Sequence, residues 1–336
     1  MKNNYTIFDN NFLKVLETSP WQEAIFLIQN DITRATFDFF RENKIYSVNL
    51  PVTTGAVTSP MGLGSDSLPV KVNMFGVETY LADSMQFHLE YLLRLSRGQG
   101  VHYLMPTFRG EATDNRHLAQ FYHSESEICG NLDDVMLLVD QYIIYLSNYI
   151  LKNRITDLKN VTDDITHIEK VASLKGRIPQ ITFTDAQELL SNDENYFKYS
   201  GEHDFYELTS MGEAALIEHY KGPVWVTHYP YKSVPFYQKK SKDGLFAENA
   251  DLLMGIGETV GCGERCVSAE EVIENMKFLG VDSENYEWYI KMKEITPITT
   301  SGFGLGVERF ILWLTNHTDI RDIQLISREN GQLIVP

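Results

Sequence analysis

Gly302-Phe303-Gly304-Leu305-Gly306-Val307-Glu308-Arg309 alternates glycine with large apolar residues and then closes on an arginine. In a strand, alternate residues share a face, so the three glycines leave one face bare while Phe303 and Leu305 fill the other. The bare face leaves room for a planar ligand, although a tightly packed sheet crossing would ask for the same pattern. The apolar stretch from Phe310 to Leu314 reads as the start of a helix. The spacing is not that of a dinucleotide loop, and no strand–helix–strand unit surrounds it.

A second stretch, Phe108-Arg109-Gly110-Glu111, is followed by a short polar loop, Arg116-His117 and Phe121. For one arginine a surface ion pair, here with Glu111, is the ordinary reading. Cations returning on the far side of the loop change that, because two strands then place positive charge around one hairpin. The pieces suit a nucleoside triphosphate: guanidinium groups for phosphates, Phe121 and a flat guanidinium for a base, and Glu111 to accept from an exocyclic amine. Further along, Asp251 and Glu258 bracket Gly255-Ile256-Gly257, and carboxylates beside a triphosphate suit Mg²⁺. Arg265 follows Gly261-Cys262-Gly263-Glu264 and could meet a substrate carbonyl or carboxylate.

The rest of the chain supplies a frame. Ile25, Ile28, Ile32, Ala35 and Phe39 predict a helix over Gln22–Arg41, followed by a β-rich Tyr46–Leu50 and Pro51. Thr53–Pro69 reads as a loop, Val70–Phe75 and Thr79–Ala82 as strands about Gly76, and Ser84–Leu95 as a helix. Val101–Leu104 and Gln120–Glu127 read as antiparallel strands and Leu132–Leu151 as a helix. Asn153–Arg177, charged and weakly patterned, reads as an exposed insertion. Thr184-Asp185 predicts a short helix start, Val224–Thr227 a buried strand, and Ser268-Ala269-Glu270-Glu271 a capping box whose helix ends at Gly280. Helices mixed with antiparallel strands predict an α+β fold on one antiparallel sheet.

The 336 residues carry 43% apolar side chains, enough for a large core, and a formal charge of −17 that argues against a broad basic footprint for nucleic acid. No apolar run is long enough to span a bilayer, and Cys129, Cys262 and Cys266 are too few for a disulfide framework, so a soluble cytoplasmic protein is expected.

Taken together, these stretches resemble the catalytic core of class II aminoacyl-tRNA synthetases of the aspartate/asparagine subgroup. Gln22–Pro51 is similar to motif 1, Phe108–Glu127 to motif 2 and Gly302–Leu314 to motif 3. Ser84-Met85-Gln86, His228-Tyr229-Pro230, Asp251-Leu252-Leu253 and Gly255-Ile256-Gly257-Glu258 are similar to subgroup markers. The resemblance implies ATP and Mg²⁺ as cofactors and a homodimer formed through the motif 1 helix and strand. It implies Arg109 on the α-phosphate and the substrate carboxylate, Arg116 and His117 on the γ-phosphate side, and Phe121 and Arg309 sandwiching adenine. Glu111 would read the adenine amine, and Asp251 and Glu258 would hold the metal. Ser84, Gln86, Leu89, Glu90, His228 and Arg265 would serve the amino acid. The domain then runs over residues 22–336, after an N-terminal segment 1–21, with the subgroup's anticodon-binding domain missing.

Departures bear on the substrate. Leu89-Glu90 stands where aspartate-specific members carry a lysine, which favours a neutral amide side chain. Ser59-Pro60 stands roughly where the subgroup places an acid for the α-amino group, and His228 replaces a usual aspartate. With the tRNA-reading domain missing and the charge acidic, the expected acceptor is ammonia or a small amine, as in the asparagine synthetases related to this subgroup, and tRNA is disfavoured. A tRNA ligase without its own anticodon domain is the alternative. A regulatory protein without activity is a third reading, weakened because Arg109, His117 and Arg309 all remain.

Overall fold

The computed structural model describes residues 19–58, 67–328 and 330–331. Ser59-Pro60 and most of the N-terminal segment 1–21 lie outside these. Ser19 caps helix α1 (Pro20–Glu42) by accepting from the Gln22 amide, with proline at the first position where its missing N–H costs nothing. Strand β1 (Tyr46–Ser47) follows, shorter than the sequence predicts. Three short strands, β2 (Thr53–Thr54), β3 (Val70–Met74) and β4 (Val77–Leu81), make a small antiparallel sheet ahead of helix α2 (Gln86–Leu95).

A long hairpin, β5 (Val101–Phe108) and β6 (Gln120–Cys129), carries the Arg109–His117 loop at its tip. Helices α3 (Leu132–Val161) and α4 (Thr166–Ala172) come next, then β7 (Gln180–Thr182) and α5 (Phe183–Leu189). Thr182 caps α5 by accepting from the Asp185 amide, so the helix begins ahead of the predicted Thr184-Asp185 start. The remaining elements are β8 (Phe197–Ser200), β9 (Phe205–Leu208), α6 (Ser210–Tyr220), β10 (Val224–Thr227), β11 (Asn249–Met254), β12 (Gly257–Glu264), α7 (Ala269–Leu279), α8 (Glu287–Ile295), β13 (Thr300–Gly306) and α9 (Val307–Leu314). The predicted capping box at Ser268 and Glu271 opens α7, and Gly280, in the left-handed region, ends it.

Eight strands form one sheet in the order β1-β5-β6-β13-β12-β11-β10-β7, antiparallel except at its two outer pairs. One face packs on α1 and α3, where Ile25, Ile28, Ile32, Val139 and Tyr142 meet Trp225, Leu252, Phe303 and Leu305 in a single core. The opposite face of β6, β13, β12 and β11 carries the glycines and most of the polar side chains, and the site lies there.

Residues 153–177 are not an exposed insertion. Helix α3 continues to Val161 with a kink at Arg154, and Leu158, Ile165, Ile168 and Val171 are buried in the main core. Two of its charged side chains are tied to the neighbouring helices. Arg154 forks onto Asp31 of α1 at 2.7 and 3.2 Å, and Arg177 bonds Asp140 at 2.9 Å, which also accepts from the Trp225 indole. Leu158→Ala should therefore cost about 2–5 kcal/mol in denaturant titration, where an exposed leucine would cost almost nothing.

Candidate active site

Register places a glycine of β13 opposite each acid of β6: Gly302 faces Glu127 and Gly304 faces Glu125. A methyl group on Gly302 would collide with a Glu127 carboxylate oxygen and lie 2.5 Å from the Gln86 amide nitrogen. Glycine here makes room for protein side chains as well as for a ligand. Further along, Gly306 meets nothing closer than ordinary contact with Arg309, so the strand stays open at that end.

Two adjoining cavities share Arg109, His123, Glu258 and Gly304 as a common wall. The first, about 310 Å³, is lined by Asp83, Ser84, Gln86, Glu125, Tyr237 and Arg265 among others. Arg265 forks onto Glu127 with two bonds of 3.2 Å, and Gln86 donates to the same carboxylate at 3.2 Å. Burial pushes the Glu127 carboxyl up; Arg265 offsets part of that, and the Glu90 carboxylate behind it adds to it. Glu125 accepts from Ser84 at 2.6 Å, from the Tyr103 hydroxyl and from His123. The Gln238 side-chain oxygen is buried in this cavity with no partner among the described residues.

Of the six residues expected on the amino-acid side, Ser84, Gln86 and Arg265 line this cavity, and three do not. Leu89 is wholly buried with Met85, Leu93 and Val101, because Met85, Leu89 and Leu93 form one four-residue row of α2 that faces the core. Glu90 shares a row with Gln86 but sits one layer back, bonded to Lys293 and to the Tyr289 hydroxyl at 2.6 Å. His228 turns outward in a left-handed conformation after β10 and lines a separate depression with Gln180 and Lys239.

The second cavity, about 230 Å³, gathers Arg109, Glu111, Arg116, His117, Phe121, Glu258 and Arg309. The Arg109 guanidinium lies 5.5 Å from the Phe121 ring centre and 3.9 Å from Glu111, and its buried Nε has no partner among the described residues. Arg116 pairs with Glu213 at 2.6 Å, while His117 bonds Asp114 at 3.0 Å. Arg309 donates to the Glu258 and Arg116 carbonyls, which leave its planar face open to the cavity. The Asp251 and Glu258 carboxylates converge over Gly261, whose missing side chain would touch both. Burial and the Glu258 charge push the Asp251 carboxyl well above its ordinary value. No salt bridge reaches either carboxylate among the described residues, and such a pair of oxygens would suit a hard divalent ion.

Sequence reading missed Asp83, Glu125, Glu127 and Glu213. The signal present was Ser124-Glu125-Ser126-Glu127, two acids at strand spacing opposite a glycine strand.

Glu308, beside Arg309, turns inward and accepts from the Tyr122 amide at 3.0 Å, and burial pushes its carboxyl up to about 7. The folded state keeps a proton that the unfolded chain releases near 4.5, so this group's stabilisation is lost as pH rises between those values. Glu308→Gln keeps the acceptor and removes the titration. Above pH 7 the variant should be the more stable protein, by at most roughly 3 kcal/mol. Denaturant titrations at pH 5 and pH 8 check this, and equal pH dependence in both proteins would exclude Glu308 as the titrating group.

Residues 3–330 match the family described as tRNA synthetases class II (D, K and N). The chain belongs to this family. As a class II synthetase it is an adenylate-forming ligase. It is 31% identical over 331 residues to asparagine–tRNA ligases of Bacillus cereus and Bacillus anthracis, covering 92% of this chain and 71% of theirs. The asparaginyl-tRNA synthetase of Pyrococcus horikoshii complexed with asparaginyl-adenylate superposes with a TM-score of 0.84 at 25% identity, covering 94% of this chain and 70% of that one. The Entamoeba histolytica asparaginyl-tRNA synthetase shares the fold, with a TM-score of 0.83 at 21% identity and coverage of 99% and 73%. These relatives are tRNA ligases. They give no support to ammonia or a small amine as the synthetase's acceptor, and they count against disfavouring tRNA. Among the described residues no helix is long and apolar enough to cross a membrane.

Proposed function

We propose that the chain activates asparagine with ATP as asparaginyl-adenylate and passes the asparaginyl group to tRNA. The observation that carries the substrate choice is Arg265, which lines the first cavity and forks onto the buried Glu127 behind it. A carboxamide offers both an N–H donor for Glu127 and an oxygen for Arg265, with the unpartnered Gln238 oxygen as a further acceptor. An aspartate side chain has no donor and would set a second negative charge against Glu127, so it is rejected by the unpaired groups it leaves.

Arg109, in the wall common to both cavities, holds the α-carboxylate against the α-phosphate. A carboxylate oxygen attacks the α-phosphorus, and the bond to the leaving pyrophosphate breaks. Arg116 and His117 take up charge on the departing side, and Phe121 and Arg309 hold adenine. Asp251 and Glu258 would hold Mg²⁺, which neutralises phosphate charge. A ribose hydroxyl of tRNA then attacks the carbonyl carbon, and AMP leaves. Positioning and charge neutralisation supply the catalysis, with no protein nucleophile. Exposed Phe26 and Phe37 on α1 and Tyr46 on β1 offer an apolar face for a second copy.

ATP–pyrophosphate exchange screened over amino acids tests the first step, and charging of total tRNA tests the second. Asparagine should stimulate exchange at least roughly 100-fold more than aspartate. Exchange driven by aspartate, with free asparagine formed from ammonium and no charged tRNA, would overturn the reading.

A further inference from the structure

The first cavity must also meet the positive α-ammonium of an amino acid. Of the four acids that line it, Asp251 and Glu258 belong to the proposed metal site, which leaves Asp83 and Glu125, while Glu127 lies buried behind Arg265. Glu125 is committed to Ser84, Tyr103 and His123. Glu127 is committed to Arg265 and Gln86. Asp83 is only 3% exposed, and its described contacts are with Thr58 alone, the backbone N–H at 3.1 Å from each oxygen and the hydroxyl at 2.7 Å. No salt bridge reaches it among the described residues, although it lines the cavity beside Ser84. Burial pushes its carboxyl up, the Thr58 hydrogen bonds offset part of that, and the more distant Arg109 adds a smaller downward pull.

We propose that Asp83 is the counter-charge for the substrate's α-ammonium and the residue that restricts the site to α-amino acids. The head group then lies between Arg109, which takes the α-carboxylate, and Asp83, which takes the ammonium, while the side chain points to Arg265 and Glu127. The inference rests on the adenylate-forming reading of the site, and it would hold for any α-amino acid activated there.

The test compares asparagine with succinamic acid, the same molecule without its amino group, in the parent and in Asp83→Asn. The amide oxygen of the variant still accepts from Thr58. Loss of a charge-assisted contact should raise the KM for asparagine roughly 30- to 100-fold. KM for ATP and the unfolding midpoint should stay unchanged, and the preference for asparagine over succinamic acid should collapse. Thr58→Val, which removes the hydroxyl contact and keeps the carboxylate, should retain that preference. An unchanged KM in Asp83→Asn, or an equal loss for both acids, would overturn the proposal and leave Asp83 as an anchor for Thr58. If the parent activates a different α-amino acid, the asparagine assignment falls, and the same comparison with that acid and its des-amino form decides the role of Asp83. If the parent binds no α-amino acid, both readings fall.

Discussion

Arg109→Ala reduces amino-acid-dependent ATP–pyrophosphate exchange by roughly 10³-fold or more in kcat/KM, the scale reached when a charge-stabilising arginine or a preorganised donor is removed from a transition state. Among the described residues it is the one arginine lining both cavities, so on the proposed reading it touches both partners of the bond that forms. Its Nε is buried with no partner among the described residues, its guanidinium lies 5.5 Å from the Phe121 ring centre, and its pairing with Glu111 is a loose 3.9 Å. Little in the folded protein depends on it, so the unfolding midpoint should move by less than about 1 kcal/mol. Arg109→Lys separates charge from shape. A lysine keeps the charge but cannot bridge two oxygens with a planar fork, so it should recover only a small part of the loss. Full exchange in Arg109→Ala would remove this residue from the reaction.

Lys293→Met destabilises the protein by about 3–5 kcal/mol, because it strands a buried carboxylate. Lys293 is fully buried, donating to Glu90 at 2.5 Å and to the Cys266 carbonyl at 2.7 Å, with its ammonium 5.0 Å from the Tyr289 ring centre. Without it, Glu90 retains the Tyr289 hydroxyl, a long contact to Thr300 and Arg94 at 3.8 Å. Adding Glu90→Gln should restore much of the stability, since the double variant removes both charges of the Lys293–Glu90 pair. A double-mutant cycle by denaturant titration reads the coupling, and additive losses would show that the two side chains do not act as a pair. The same pair stands behind Arg265 and Glu127, so the single variant should also weaken amino-acid binding.

The α+β fold and the grouping of the second cavity's residues were legible in the sequence because both are written in contiguous stretches. Gly302–Arg309 and Phe108–Phe121 each carry their chemistry within one strand–loop or strand–helix unit. The amino-acid side was harder to read because it is assembled across strands. Glu127 acquires meaning only from its register with Gly302 and from Arg265, 138 residues further on. Leu89 was misplaced because neighbours in sequence on α2 belong to different rows of the helix. His228 was misplaced because one left-handed residue after β10 reverses the direction of a side chain. In residues 153–177 the apolar positions are sparse, and the ion pairs that turn Arg154 and Arg177 inward involve α1 and α3, beyond any local window.

The wall shared by the two cavities has a thermodynamic consequence. On the proposed reading one guanidinium, set against Phe121, serves an α-carboxylate on one side and a phosphate on the other, so neither substrate finds a site indifferent to its companion. Whichever arrives first fixes the side chain and bears its ordering entropy; the second inherits a rigid partner but meets a cation already partly neutralised. The balance of these two effects sets one coupling free energy, and reciprocity requires ATP to alter amino-acid affinity by the same factor by which the amino acid alters that of ATP.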